Sequence, residues 1–185
     1  MEVIQAIKER RSIRKYKPEP VSDEELNIVL EAARWAPSWA NTQCWRFIVV
    51  RDKEKKVGLS QTLTPQNPST NAVIDAPLVI VACAEKGRSG YYKGNPATDK
   101  GDWFMFDLGL AMQNLCLAAH SIGLGTVHIG AFNAQKAGEI LNLPEGTVVV
   151  EMTPLGHPLG EVKTPPRKEL EELVFYESYG ESHKK

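Results

Sequence analysis

Helical and strand periods alternate along this chain from end to end, and no repeat or low-complexity tract interrupts them. Val3, Ile4 and Ile7 mark one face of a short first helix. Ser22 with Glu25 three residues on is a capping-box pattern, and Leu26, Val29, Leu30 and Ala33 follow at helical spacing until Pro37 stops the run. WRFIVVR and PLVIVACA are short, β-branched and strongly apolar, which predicts strands covered on both faces and central in a sheet. TVVVEMTPLG predicts a third strong strand, and GLGTVHIGAF a turn, a short strand and another turn. From about Trp103 to Ser121 the chain is apolar around most of a helix circumference (Phe104, Phe106, Leu108, Leu110, Leu115, Leu117), more than one buried stripe requires. Such a helix is either central or at a subunit interface. NAQKAGEILNL reads as helical with Asn133 as its cap. From Pro166, PRKELEELVFY predicts a final amphipathic helix running into a polar tail. Gly156, Pro158, Gly160, Pro165 and Pro166 make the segment before it a loop or an arm reaching across the surface.

Composition narrows the class. A chain of 185 residues is the size of one domain with one continuous core, so we expect a single domain over 1–185 with a C-terminal arm from about 157 to 185. With 22 Lys+Arg against 23 Asp+Glu the net charge is -1, which disfavours a general nucleic-acid binder using RRSIRKYK. Any phosphate recognised here is small and local. Cys44, Cys83 and Cys116 form no CxxC pair and lie in or near apolar stretches, as reduced core thiols do; neither disulfides nor metal is expected. Acidic Glu2 stands where a signal peptide is basic, and no stretch supplies ~18 consecutive apolar residues, so a soluble, cytoplasmic protein away from the membrane is expected.

The chemistry begins with what is missing: there is no GxxxxGK, HExxH, GxSxG, or GxGxxG between a strand and a helix. A nucleotide held in Rossmann fashion is thereby disfavoured. Ser12 and Lys15 match SxxK, but the companion motifs of serine acylases are absent. His120, His128, His157 and His183 lack metal-ligand spacing and read as surface or hydrogen-bonded groups. RRSIR at 10–14 reads either as a solvated charge run at a helix end or as a phosphate site of guanidinium groups and a hydroxyl. WAPSWANTQCW sets Pro37, Ser38, Asn41, Thr42 and Gln43 among Trp35, Trp39 and Trp45. That composition suits a ligand with a polar chain and a flat ring, or an interface packed without one. In HIGAF, Gly130 is an ordinary turn glycine or a place where backbone approaches a planar ring.

Taken in order, RRSIR, APSWANTQCW, AAHSIGLGTVHIGAF and NLPEGTVVVEMTPLGHP leading to PPR resemble the FMN-dependent nitroreductase family, over about Ile4 to Arg167. The resemblance implies an α+β fold, a central mostly antiparallel sheet flanked by helices, in a domain-swapped-type homodimer with FMN at the interface. It assigns Arg10, Ser12 and Arg14 to the flavin phosphate, with Arg11 adding charge or backbone. Pro37, Ser38, Trp39 and Asn41, with Gln43, fall to the ring and ribityl surroundings in the opposite subunit. Arg167 matches a basic residue near the phosphate, with Lys163 a weaker match. Gly130, with Ala131, matches the loop whose backbone N–H meets flavin N5, the one catalytic contact implied.

Two departures stand out. Cys44 occupies a position where the family often has proline, and the family's Asn/Lys pair at the pyrimidine edge has only Asn67 and Asn71 as candidates. The segment 87–103, rich in tyrosine and glycine, suits a mobile cover. The implied activity is an oxidoreductase in which NAD(P)H as co-substrate reduces FMN and a small-molecule electron acceptor, a nitroaromatic or quinone, then takes the electrons. A flavin-binding module without turnover, or a specialised flavoenzyme of the family that dehalogenates or consumes flavin, is the alternative.

Overall fold

The computed structural model describes residues 1–181. Its centre is a four-stranded antiparallel sheet in the order β1-β2-β6-β5, where β1 is Trp45–Val50, β2 Leu78–Glu85, β5 Gly125–Thr126 and β6 Thr147–Gly156. The central strand β2 pairs with β1 from Trp45↔Ala84 to Val50↔Val79, and with β6 on its other side through a bulge between Ala82 and Cys83. Its side chains alternate between two cores, as a strand's period of two requires. Leu78, Ile80, Ala82 and Ala84 meet helices α2 (Asp23–Arg34) and α5 (Phe104–Ser121). Val79, Val81 and Cys83 meet the residues of α3 (Lys53–Ser60), α4 (Thr70–Asp75) and α6 (Ala134–Ile140). The expected α+β class with a flanked antiparallel sheet is what this chain adopts.

Several expectations hold element by element. The helix α1 spans Val3–Glu9, and α2 opens on the full Ser22–Glu25 capping box. Asn133 caps α6 by accepting from the Lys136 N–H. The three cysteines are free and buried. Two expectations fail. WRFIVVR is an edge strand, because apolar residues on both faces call for cover above and below, not for a neighbour on each side. The helix expected from Pro166 is absent: only one 3-10 turn forms, at Leu170–Glu172, and Leu170 is 71% exposed. A short amphipathic segment gains little from propensity alone and needs a surface to cover, which this chain does not offer it. The sequence reading also missed α3, whose Asp52 cap accepts from the Lys55 N–H, and the hairpin of β3 (Tyr91–Tyr92) with β4 (Asn95–Pro96). Among the described residues no helix is long and apolar enough to cross a membrane. His183 and the end of the polar tail lie outside the described residues.

Candidate functional site

The segment RRSIR is built onto the sheet rather than left in solvent. Ser12 bridges Thr126 of β5 in parallel, and the Ile13 N–H donates to the Thr126 carbonyl at 2.8 Å. This contact needs Gly125: a Cβ there would lie 2.7 to 2.9 Å from the Ile13 side chain. Farther on, the Lys17 N–H donates to the His157 carbonyl and the Leu159 N–H to the Lys15 carbonyl, both at 2.9 Å.

Three arginines of this segment differ in what they do. Arg11 is spent internally, donating to Thr164 Oγ1 at 2.7 and 3.1 Å and to the carbonyls of Lys8 and Arg10. Arg10 has a buried Nη1 with no partner, and it lines a cavity of about 350 Å³ together with His120, Ser121 and Thr126. The buried Nε2 of His120 is equally without a partner. Burial pushes the His120 pKa down, Glu9 opposes this, and Arg10 and Arg11 add to the depression. Arg10 brings a positive charge to the wall of this cavity, and its side chain keeps a donor that no described group takes. His120 escaped the sequence reading, since nothing in its spacing separates it from a surface histidine. Arg167, in contrast, is exposed and turned to its neighbours, donating to the carbonyls of Pro165 and Pro166. The structure does not bring it to the Arg10 cavity.

Arg14 starts a chain of hydrogen bonds that gathers the third motif. Its Nε donates to Ser69 Oγ at 3.2 Å, the Ser69 N–H to Asn67 Oδ1 at 2.9 Å, and Asn67 Nδ2 to the Ala131 carbonyl at 3.3 Å. The Thr64 N–H reaches the same carbonyl at 3.1 Å. The loop is held from its other side by paired bonds between Ile129 and Met152, both 3.0 Å. Over Gly130 the space is open, with nothing within 4 Å of where a Cβ would stand. Asn67 is thus joined to the Gly130–Ala131 loop, while Asn71 lies exposed in α4.

The loop of Pro37 to Cys44 lies elsewhere. Ser38 Oγ accepts from the Gln43 N–H at 3.0 Å and Gln43 Nε2 donates to Asn41 Oδ1 at 3.2 Å. Ala40, Asn41 and Gln43 hold φ of 45°, 54° and 46°, left-handed backbone that costs non-glycine residues roughly 1 kcal/mol or more each. One buried carboxylate holds this strained loop in place. Asp107, in the first turn of α5, accepts from the Trp39 N–H at 3.0 Å, from Ser89 Oγ at 2.6 Å and from Cys44 Sγ at 3.8 Å. Burial, and after it the charge of Asp107, pushes the Cys44 thiol up to about 11. Pro37, Ser38, Trp39, Trp103, Phe106 and Leu110 surround a second cavity, about 360 Å³, with Asp107 in its wall. The sequence does carry a signal for Asp107: a lone acid amid the apolar run FMFDLGL.

The two regions sit at opposite ends of α5. Asp107 is in its first turn and His120 in its last, about 20 Å apart along the helix axis.

A model of the nitroreductase family matches this chain over residues 7–73 and 57–157. The FMN reductase (NAD(P)H) of Bacillus subtilis is 33% identical over 96% of this chain and 74% of that protein. The NADPH-flavin oxidoreductase of Vibrio harveyi is 31% identical over 96% of this chain and 75% of that protein. Among solved structures, an FMN-dependent nitroreductase of Clostridium difficile aligns with a TM-score of 0.80 and 31% identity, covering 95% of this chain and 99% of that one.

Proposed function

The chain belongs to the nitroreductase family, and from that membership we propose that it is an FMN-dependent enzyme that oxidises NAD(P)H and passes the electrons to a nitroaromatic or quinone in alternating half-reactions. One observation carries the flavin part of this reading: Arg10, with a buried nitrogen that no described group takes, lines one cavity with His120, and a guanidinium there suits an anionic phosphate. Arg10, with Ser12 and Arg14, would hold the phosphate end. The Gly130–Ala131 loop, fixed through Asn67, would offer backbone to the ring, and the open space over Gly130 leaves room for it.

Bound FMN supplies hydride acceptance from NAD(P)H and electron donation to the acceptor. The chain's own work is to bind and orient. The Gly130 N–H would hold one ring position, Arg14 braces Ser69 and so Asn67, and Trp39, Trp103 and Phe106 offer flat apolar faces against which a planar substrate can be aligned. Because the two regions stand about 20 Å apart along α5, the reading includes a homodimer in which the Pro37–Gln43 loop of one subunit reaches the flavin of the other. The exposed apolar residues Val3, Ile4, Met105 and Phe106, and Leu173, Phe175 and Tyr176 of the arm from about 157, support it.

The test is the purified protein itself. It is expected to be yellow, with about one FMN per chain, and NADH or NADPH should bleach it without oxygen and added nitroaromatic or quinone restore the colour. Protein that takes up FMN but is never bleached is a flavin-binding module. Protein that takes up none refutes the reading.

A further inference from the structure

Asp107 is buried completely, as are Ser89 and Cys44, and it receives three donors from two segments far apart in sequence. The Trp39 N–H belongs to the strained loop after α2, and Cys44 closes that loop at the start of β1. Ser89 belongs to the 87–103 cover, and its carbonyl also takes the Trp103 N–H at 3.1 Å. The cover is close-fitting there: a Cβ on Gly90 would lie 2.6 Å from the Gly101 carbonyl and from Trp103 Cδ1. We propose that Asp107 is a positioning residue that couples the 37–44 loop to the 87–103 cover, so that the loop and the cover are placed together by one carboxylate.

The argument is one of satisfaction. Each oxygen of Asp107 has its own donors, Oδ1 the Trp39 N–H and Oδ2 the hydroxyl and thiol, so neither segment can shift without leaving a buried carboxylate oxygen short of a partner. The left-handed backbone at Ala40, Asn41 and Gln43 would relax if it were free to do so, and the Trp39 contact opposes that relaxation. Cys44 takes part where the related proteins of the resemblance often carry proline, and proline has neither thiol nor N–H to give. An asparagine in place of Asp107 removes the charge that strengthens all three bonds, so its hold on both the loop and the cover is weaker.

That the loop also serves FMN rests on the function proposed above, so the experiment has one arm that does not need it. Amide hydrogen exchange by mass spectrometry on the purified wild type, Ser89→Ala and Asp107→Asn reads both segments directly. Ser89→Ala should exchange about tenfold or more faster over 87–103 and at the wild-type rate over 37–44. Asp107→Asn should speed both segments. In the second arm, FMN titration should show Ser89→Ala near wild type and Asp107→Asn weakened about tenfold or more. Wild-type exchange of the cover in Ser89→Ala, or acceleration of only one segment in Asp107→Asn, overturns the coupling. Should Asp107→Asn fail to fold, Asp107→Ser, whose one short hydroxyl cannot reach both segments, is expected to speed both and decides in its place. A wild type that binds no FMN would sink the function proposed above while the exchange arm still decides this inference.

Discussion

The two ends of α5 handle their polar groups in opposite ways. At its C-terminal end Arg10 and His120 keep buried nitrogens unpaired around one cavity, Arg10 bringing a positive charge that the helix's negative pole favours and His120 an imidazole whose pKa burial lowers. At its N-terminal end an acid gathers donors, Asp107 taking the Trp39, Ser89 and Cys44 hydrogens at the helix's positive pole. Buried atoms without partners occur there too, Thr42 Oγ1 and Trp103 Nε1, but they are neutral. One end thus keeps nitrogens that no described group takes. The other is a finished frame that presents apolar rings. The lesson is that a cluster's charges matter less than which of them the fold has already used, since Arg11 is as cationic as Arg10 and yet is spent on Thr164.

If the two ends serve one flavin only across a subunit boundary, the largest effect should come from breaking that boundary. Phe106 is 58% exposed on α5. Phe106→Asp is expected to yield monomer and to weaken FMN binding on the order of a hundredfold, as loss of an aromatic anchor does. Sedimentation at the flavin absorbance measures both. A flavin-saturated monomer would show that one end suffices.

Next in size is a contrast inside the cationic end. Arg10→Ala should weaken FMN about ten- to a hundredfold and leave riboflavin unchanged, because the lost bond is to the phosphate alone. Arg14→Ala should weaken both ligands, since Arg14 also braces Ser69, Asn67 and the Ala131 carbonyl. Equal behaviour of the two variants would erase the distinction between an arginine that meets the phosphate alone and one that also braces the Ala131 loop.

Much of the scaffold was legible. The capping box at Ser22, the Asn133 cap and the three apolar strands follow from local rules that tertiary structure did not override. The misses share one cause: a pattern tells which faces are covered, not by what. Hence WRFIVVR was expected in the centre and lies at the edge, and PRKELEELVFY has a helical face with nothing in its own chain to bury it on. At the site, residue type flagged RRSIR but not which arginine is free, because Thr164 and Ser69 are 153 and 55 residues from their partners. His120 is illegible for the same reason, whereas Asp107 carries a local signal, a lone acid in FMFDLGL.

A smaller effect should come from backbone packing. Gly125→Ala forces a Cβ into Ile13 and should cost about 1–3 kcal/mol of stability, with FMN weakened because RRSIR shifts. Gly90→Ala strains the other end, at φ +81° and against Trp103, and should disturb the cover with FMN affinity kept. Denaturant melts and FMN titrations on both variants separate the two.

The smallest effect concerns an imidazole outside both ends, and it sharpens the comparison by removing a confusion. His128 lies two residues before Gly130, its Nε2 3.4 Å from Cys116 Sγ and its Nδ1 2.8 Å from Glu151 Oε1. The contact with Cys116, and next that with Glu151, raise its pKa to about 10 against the opposing effect of burial. A folded-state pKa above the unfolded 6.5 means the stabilisation is whole below pH 6.5 and disappears as pH rises through about 10. His120 moves the other way, so its titration belongs to acid and to the anion cavity, while that of His128 belongs to alkali and to the scaffold. His128→Gln should therefore lower stability most at pH 6 and least above pH 10. The side chain is 36% exposed, so solvent screening keeps the difference under about 1 kcal/mol. Thermal melts of both proteins from pH 6 to 10 would show the gap closing, and a gap constant with pH would mean that the ring contributes packing alone.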